Sequence, residues 1–214
     1  MKKNSKLLSS ENQINLYGYS KYFDSFSKLF INNKLPNTIL ISGSKGLGKS
    51  TFIYHFVNHL LSFNEENKYD RNKFLINYEN RSYKLIKSNL HSNFFYLGND
   101  LNDTVIGVDQ TRKLLSFLRK TTNFNNLKLI IIDNVENLNI NSSNALLKAL
   151  EEPNTNTYFF LIYNNANKIL STLKSRCSEF KIHFSKNEKD KIFSKLANDY
   201  NIELNDDKIF NCLN

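Results

Sequence analysis

Short, almost wholly apolar runs alternate along this chain with longer stretches in which apolar residues recur every three or four positions. Residues 37–42 (NTILIS), 127–133 (LKLIIID) and 158–163 (YFFLIY) lack the polar alternation of a half-exposed strand, so each predicts a strand buried on both faces. Residues 94–97 give a shorter candidate, and the alternating FKIHF at 180–184 predicts a last strand. Residues 50–61 are apolar at helical spacing, and 108–118 form an amphipathic helix with Asp109 placed to cap its start. A further helix over 142–152 stops at Pro153. Residues 64–93 are polar and weakly patterned and read as surface helix and loop, while the chain turns polar and helical from Ser185. Strands that alternate with helices predict an α/β fold, a parallel sheet flanked by helices.

The chain has only six glycines, and three of them (43, 46 and 48) fall between the first buried strand and the first helix. Gly43-Ser-Lys-Gly-Leu-Gly-Lys-Ser50 fits G-x-x-x-x-G-K-[ST], the phosphate loop of a P-loop NTPase. Glycines let backbone N–H groups close around phosphate, and the following helix turns its positive end to the anion. The expected cradle comprises Gly43, Ser44, Lys45, Gly46, Leu47, Gly48, Lys49, Ser50 and Thr51. Lys49 is expected to reach the β- and γ-phosphates, and Ser50 to offer its hydroxyl to Mg²⁺. The other half of such a site is an apolar strand ending in an acid. LIIID supplies it, with Asp133 as the expected Mg²⁺-side carboxylate.

The stretch from Leu129 to Cys177 resembles the AAA+ clamp-loader family. The residues that carry the likeness are LIIIDNVENL, SSNALLKALEEP and FFLIYNNANKILSTLKSRC. Upstream, LYGYSKYFDSFSKLF, KLPNTILISG and IGVDQTRKL are similar too, so the likeness spans roughly residues 12–185. It implies an AAA+ nucleotide-binding domain over 1–185 and the beginning of a helical lid over 186–214; the family's C-terminal collar should follow, and it is expected to be absent from these 214 residues. It also implies ATP and Mg²⁺ as ligands. The implied partners are the other clamp-loader subunits, of gamma or tau and delta type, with a sliding clamp and primer-template DNA. In this family the arginine of S-R-C, here Arg176, is a finger that reaches the γ-phosphate held by the neighbouring subunit. Asn164, after YFFLIY, falls at the sensor-1 position. Two departures point to an assembly subunit rather than a hydrolysing gamma- or tau-type motor, which is the alternative. The family's active ATPases carry Glu directly after the strand-end Asp, where this chain has Asn134, with Glu136 two residues further on. The motor subunits carry a four-cysteine zinc module between the two phosphate-site motifs, and residues 51–132 contain no cysteine.

The remaining signals change little. The net charge of +9 fits nucleic acid or acidic partners, and equally the Lys- and Asn-rich composition of an AT-rich genome. No apolar run approaches the ~18 residues of a membrane span, and the basic start lacks the apolar core of a signal peptide, so a cytoplasmic protein is expected. Cys177 and Cys212 have no metal-like spacing and read as ordinary thiols. His55 and His59 lie four apart but bring no third ligand, and Glu151-Glu152 read as a structural or subunit-contact pair before Pro153.

Overall fold

The three long apolar runs become the middle of one sheet. In the computed structural model, which describes residues 9–99, 104–120 and 127–200, the strands are β1 (Thr38–Gly43), β2 (Phe94–Leu97), β3 (Lys128–Ile132), β4 (Thr157–Asn164) and β5 (Ser178–Lys181). All pair in parallel, in the order β2-β3-β4-β1-β5. The helices are α1 (Ser20–Ile31), α2 (Lys49–Leu61), α3 (Arg81–Lys87), α4 (Val108–Arg119), α5 (Ile140–Glu151), α6 (Ser171–Lys174) and α7 (Lys186–Tyr200), with a 3₁₀ turn at Val135–Asn137 after β3.

Successive strand residues serve opposite faces, so the buried runs feed two cores. Ile39, Ile41, Leu129, Ile131, Phe160 and Ile162 pack with Phe23, Phe26, Phe52, Phe56 and Ile86 of α1, α2 and α3. Leu40, Ile130, Ile132, Phe159 and Leu161 pack with Leu114, Leu146 and Leu150 of α4 and α5. The first core is rich in edge-to-face ring pairs, such as Phe26 on Phe52 at 5.2 Å and on Phe56 at 5.5 Å, each contributing roughly 0.5–1.5 kcal/mol beyond area burial.

Polar side chains finish the helix ends. Asn139 accepts from the Ser142 amide at 2.7 Å and Asn80 from the Tyr83 amide at 2.7 Å, both N-caps. Lys128, at the start of β3, donates to the carbonyls of Leu118 and Lys120 at 2.5 Å each and so closes the C-terminal end of α4. Two local expectations are corrected. Asp109 does not cap α4. Gly107 is the N-cap, its amide donates to Gln110 Oε1 at 2.9 Å, and Asp109 instead pairs with Arg112 at 3.0 Å. The last strand lies two residues earlier than FKIHF suggested, at Ser178–Lys181. Ile182 and Phe184 are buried in the first core but lie beyond the strand's end.

The last described helix, α7, docks on the segment before α1. Tyr200 donates to Gln13 Oε1 at 2.9 Å, the Tyr17 hydroxyl bonds Asp199, and Ile192 packs on Gly18. Gly18 has φ +76°, and a Cβ there would meet Ile192 Cδ1 at 2.2 Å, so this approach requires glycine. Among the described residues no helix is long and apolar enough to cross a membrane. Cys212 and residues 201–214 of the expected lid lie outside the described residues.

Phe160 has no exposure and packs beneath α2, so Phe160→Ala is expected to destabilise the fold by about 3–5 kcal/mol. Phe63, 70% exposed, should change stability by no more than about 0.5 kcal/mol when replaced by Ala. Urea unfolding of the two variants checks the contrast.

Candidate nucleotide-binding site

A parallel sheet gathers all its strand C-termini at one edge, and the loops that leave that edge build the site. Register sets the contributors. Gly43 pairs with Asn164, Ile132 with Leu161, and Leu97 with Ile132, so the residues after β1, β3 and β4 emerge side by side. They border a cavity of about 270 Å³ lined by Lys45, Gly46, Gly48, Lys49, Ser50, Thr51, Asp133, Asn134 and Asn164, with Ser10 and Ile162.

The loop from Gly43 to Gly48 needs its glycines for two separate reasons. At Gly43 a Cβ would sit 2.7 Å from the Ile182 carbonyl oxygen. Gly48, the N-cap of α2, has φ +79° and ψ 24°, the left-handed region that side chains disfavour. The Lys49 ammonium folds back into the loop and donates to the carbonyls of Gly43 at 2.8 Å and Ser44 at 2.6 Å. Burial lowers its pKa, while the carboxylates of Glu136 and then Asp133 push it back up. Leu47 turns away from the cavity. Its carbonyl accepts from the Tyr19 hydroxyl at 2.9 Å, and its side chain borders an adjoining cavity of about 190 Å³ with Gln13, Tyr19, Ile192 and Leu196. The two cavities share Gly46, Gly48 and Thr51.

Asp133 closes the other side. Its Oδ2 accepts from the Ser50 hydroxyl at 2.8 Å and from the Tyr96 hydroxyl at 3.3 Å, and its Oδ1 accepts from the Asn134 amide at 2.9 Å. Burial nevertheless outweighs these donors and raises its pKa. Asn134 stands in the left-handed region (φ 54°, ψ 54°) and starts the 3₁₀ turn. That turn swings Glu136 toward the site, where its Oε2 accepts from the Asn164 amide at 3.3 Å. The Asn164 side chain accepts from the Ala166 amide at 3.2 Å.

The sequence-expected residues therefore divide. Lys49, Ser50, Asp133 and Asn164 come together at one edge of the sheet, but Arg176 does not. It precedes β5, whose Ser178 pairs with Ile39 near the start of β1. At about 3.3 Å per residue, the four residues from Ile39 to Gly43 put it more than about 13 Å from the loop along the strand direction. Arg176 is instead held by Glu151, Nε to Oε2 at 3.1 Å. Tyr96 was not expected to belong to the site, and Glu136 was expected only as a carboxylate displaced by two residues. Tyr96 alternates into it from β2, a strand too short to make its facing legible in sequence.

The histidines and the thiol serve packing. His55 is fully buried, with Nε2 3.1 Å from the Gln13 carbonyl and Nδ1 3.1 Å from the Tyr69 hydroxyl. Burial lowers its pKa to about 3 and that of His59 to about 4. Burial pushes the Cys177 thiol up to about 12, far from a reactive thiolate.

Because the fold raises the Asp133 pKa above its ordinary value of 3.8, the native state holds this proton more tightly than the unfolded chain. Stability from this group is thus lost as pH rises through that window. Asp133→Asn is expected to raise the thermal midpoint of the ligand-free protein at neutral pH, and by less in acid. Melting curves across the acid-to-neutral range check the sign.

Comparison with known proteins identifies the family of the chain. Residues 18–187 match the family described as DNA polymerase III, delta subunit. The DNA polymerase III subunit delta' of Buchnera aphidicola subsp. Schizaphis graminum is 33% identical over 162 residues, covering 76% of this chain and 47% of that protein. The subunit delta' of Pseudomonas aeruginosa is 35% identical over 99 residues, covering 46% of this chain and 30% of that protein. The chain thus spans less than half the length of these curated relatives. Among solved structures, a DNA polymerase III gamma subunit-related protein from Thermotoga maritima superposes with a TM-score of 0.50 at 20% identity, over 77% of this chain and 48% of that one. With an AAA+ fold and a family match over most of its length, the chain belongs to the delta-prime family of DNA polymerase III clamp-loader subunits.

Proposed function

We propose that this chain is the nucleotide-binding part of a clamp-loader subunit. In this reading it holds Mg-ATP, hydrolyses it slowly or not at all by itself, and presents Arg176 to nucleotide on a neighbouring subunit during sliding-clamp loading. The observation that carries the reading is the convergence of Lys49, Ser50, Asp133 and Asn164 on one cavity.

The donors suit the ligand. A loop rich in backbone N–H groups, opening onto the N-terminus of α2, fits a polyphosphate. Lys49, bonded among the described residues to carbonyls of its own loop, can exchange those bonds for phosphate oxygens. A hydroxyl and a carboxylate 2.8 Å apart, Ser50 and Asp133, suit Mg²⁺, which prefers oxygen ligands. Bound Mg-ATP would supply an electrophilic γ-phosphoryl group with part of its charge neutralised. The adjoining cavity, walled by Tyr19, Leu47 and α7, would take the base, and α7 would open the helical lid.

What the chain lacks is a base beside Asp133. The Asn134 amide cannot take a proton from water, and its left-handed backbone leads straight into the turn. Glu136 is the nearest alternative carboxylate, but its Oε2 is engaged by the Asn164 amide. A misplaced base forfeits roughly 10²–10⁴ in rate. A hydrolysing motor of gamma or tau type is the competing assignment, and Asn134 disfavours it. The sliding clamp, primer-template DNA and the other loader subunits are the partners proposed with this function.

Two measurements test the reading. Lys49→Ala is expected to remove most Mg-ATP binding in calorimetry, and equal binding by parent and variant would refute the site. The isolated protein is expected to turn over ATP well below about 1 s⁻¹. A faster rate that Glu136→Gln abolishes would make Glu136 the working base.

A further inference from the structure

Arg176 is not a free side chain. Its Nε donates to Glu151 Oε2 at 3.1 Å, and its Nη1 donates to the Thr172 carbonyl at 2.8 Å. Glu151 is the last residue of α5 and Thr172 belongs to α6, two helices that touch beneath the second core. Leu150 and Leu173, one residue from each anchor, are buried in that core. The anchors therefore sit on packed ground, although the Arg176 side chain remains 29% exposed and that of Glu151 57%.

The pattern of contacts is selective. A guanidinium is a flat fork of five N–H groups. Here Nε and Nη1 are engaged, while Nη2 has no partner among the described residues. A side chain stored out of use would have its fork filled by a two-point carboxylate contact. Glu151 instead makes a single ion-pair contact to the guanidinium, at Nε. What stays open is Nη2, whose N–H groups can meet phosphoryl oxygens.

We propose that Glu151 is a positioning residue for Arg176, fixing the guanidinium so that its Nη edge faces a phosphoryl group on the adjoining subunit. The proposal rests on the reading of Arg176 as a group that acts in trans. Without Glu151 the side chain keeps its charge and the Thr172 contact but loses the constraint at Nε, and a displaced catalytic group costs up to about 100-fold in rate.

The experiment uses the full-length subunit assembled with the gamma-type subunits of its own organism, reading clamp- and DNA-stimulated ATP hydrolysis, with assembly confirmed by size. Arg176→Ala should lower stimulated hydrolysis by about 10³-fold or more. Glu151→Ala should lower it by about 10- to 100-fold, in kcat rather than KM for ATP. Glu151→Gln, which keeps an acceptor oxygen for Nε, should retain most of the rate. In an Arg176→Ala background, Glu151→Ala should have no further effect, whereas a merely structural role at the end of α5 would lower the rate again. If Arg176→Ala changes nothing, the trans-acting reading falls and this inference with it. If Arg176→Ala is harmful but Glu151→Ala is harmless, activating, or harmful in both backgrounds, the positioning role is overturned and the trans-acting reading stands.

Discussion

Parallel pairing of β1, β3 and β4 is the constraint on which the rest depends. Because Gly43 lies opposite Asn164 and Ile132 opposite Leu161, three chain segments distant in sequence leave the sheet together. Local preference shapes the glycine loop, through the left-handed Gly48, but does not bring it to the other strand ends. Lys49 faces Asp133 across the cavity only because the strands beneath them are in register. The continuous apolar runs that bury both sheet faces keep that register, since a slip of one residue would send each side chain into the wrong core.

At this edge the fold accepts unfavourable electrostatics. Lys49 and Asp133 are both buried, and burial shifts each toward its neutral form. The two are not joined by a direct ion pair; Asp133 is satisfied by Ser50, Tyr96 and a backbone amide, and Lys49 by loop carbonyls. Such an arrangement keeps a cation and an anion apart across the cavity instead of letting them neutralise each other. A ligand carrying phosphate charge and a divalent ion would relieve both strains at once, which is how binding sites come to be locally unstable regions of stable folds.

Much of this was legible in the sequence where one physical signal dominated. The central strands announced themselves because burial on both faces demands unbroken apolar runs, and the tight loop after β1 because glycine is otherwise scarce in this chain. Legibility failed where structure is set by distant contacts. The edge strand Ser178–Lys181 is mostly exposed and carries Glu179 and Lys181, so it has no apolar signature. Of the two residues that drew the expectation downstream, Phe184 is buried against Tyr19 and Tyr22, and Ile182 lies just past the strand, its amide still donating to the Ser42 carbonyl of β1 at 2.8 Å. Asp109 had the composition of a cap, but Gly107 and Gln110 supplied one first. The absence of a carboxylate at Asn134 was readable, whereas its left-handed backbone and the swing of Glu136 toward Asn164 were not. Glu151 and Arg176 are 25 positions apart and meet only because α5 and α6 pack together.

The opposite placement of the cavity and Arg176 along the strand direction bears on symmetry. Should an arginine at one end of the sheet answer a phosphate at the other end of the next molecule, the contact is head-to-tail, using two different surfaces. A two-fold pair would satisfy it only reciprocally, with both arginines and both phosphate sites in a single interface. Each added subunit would leave one acceptor and one donor unused at the ends of the series, so the assembly must either close as a ring or remain open with two inequivalent termini.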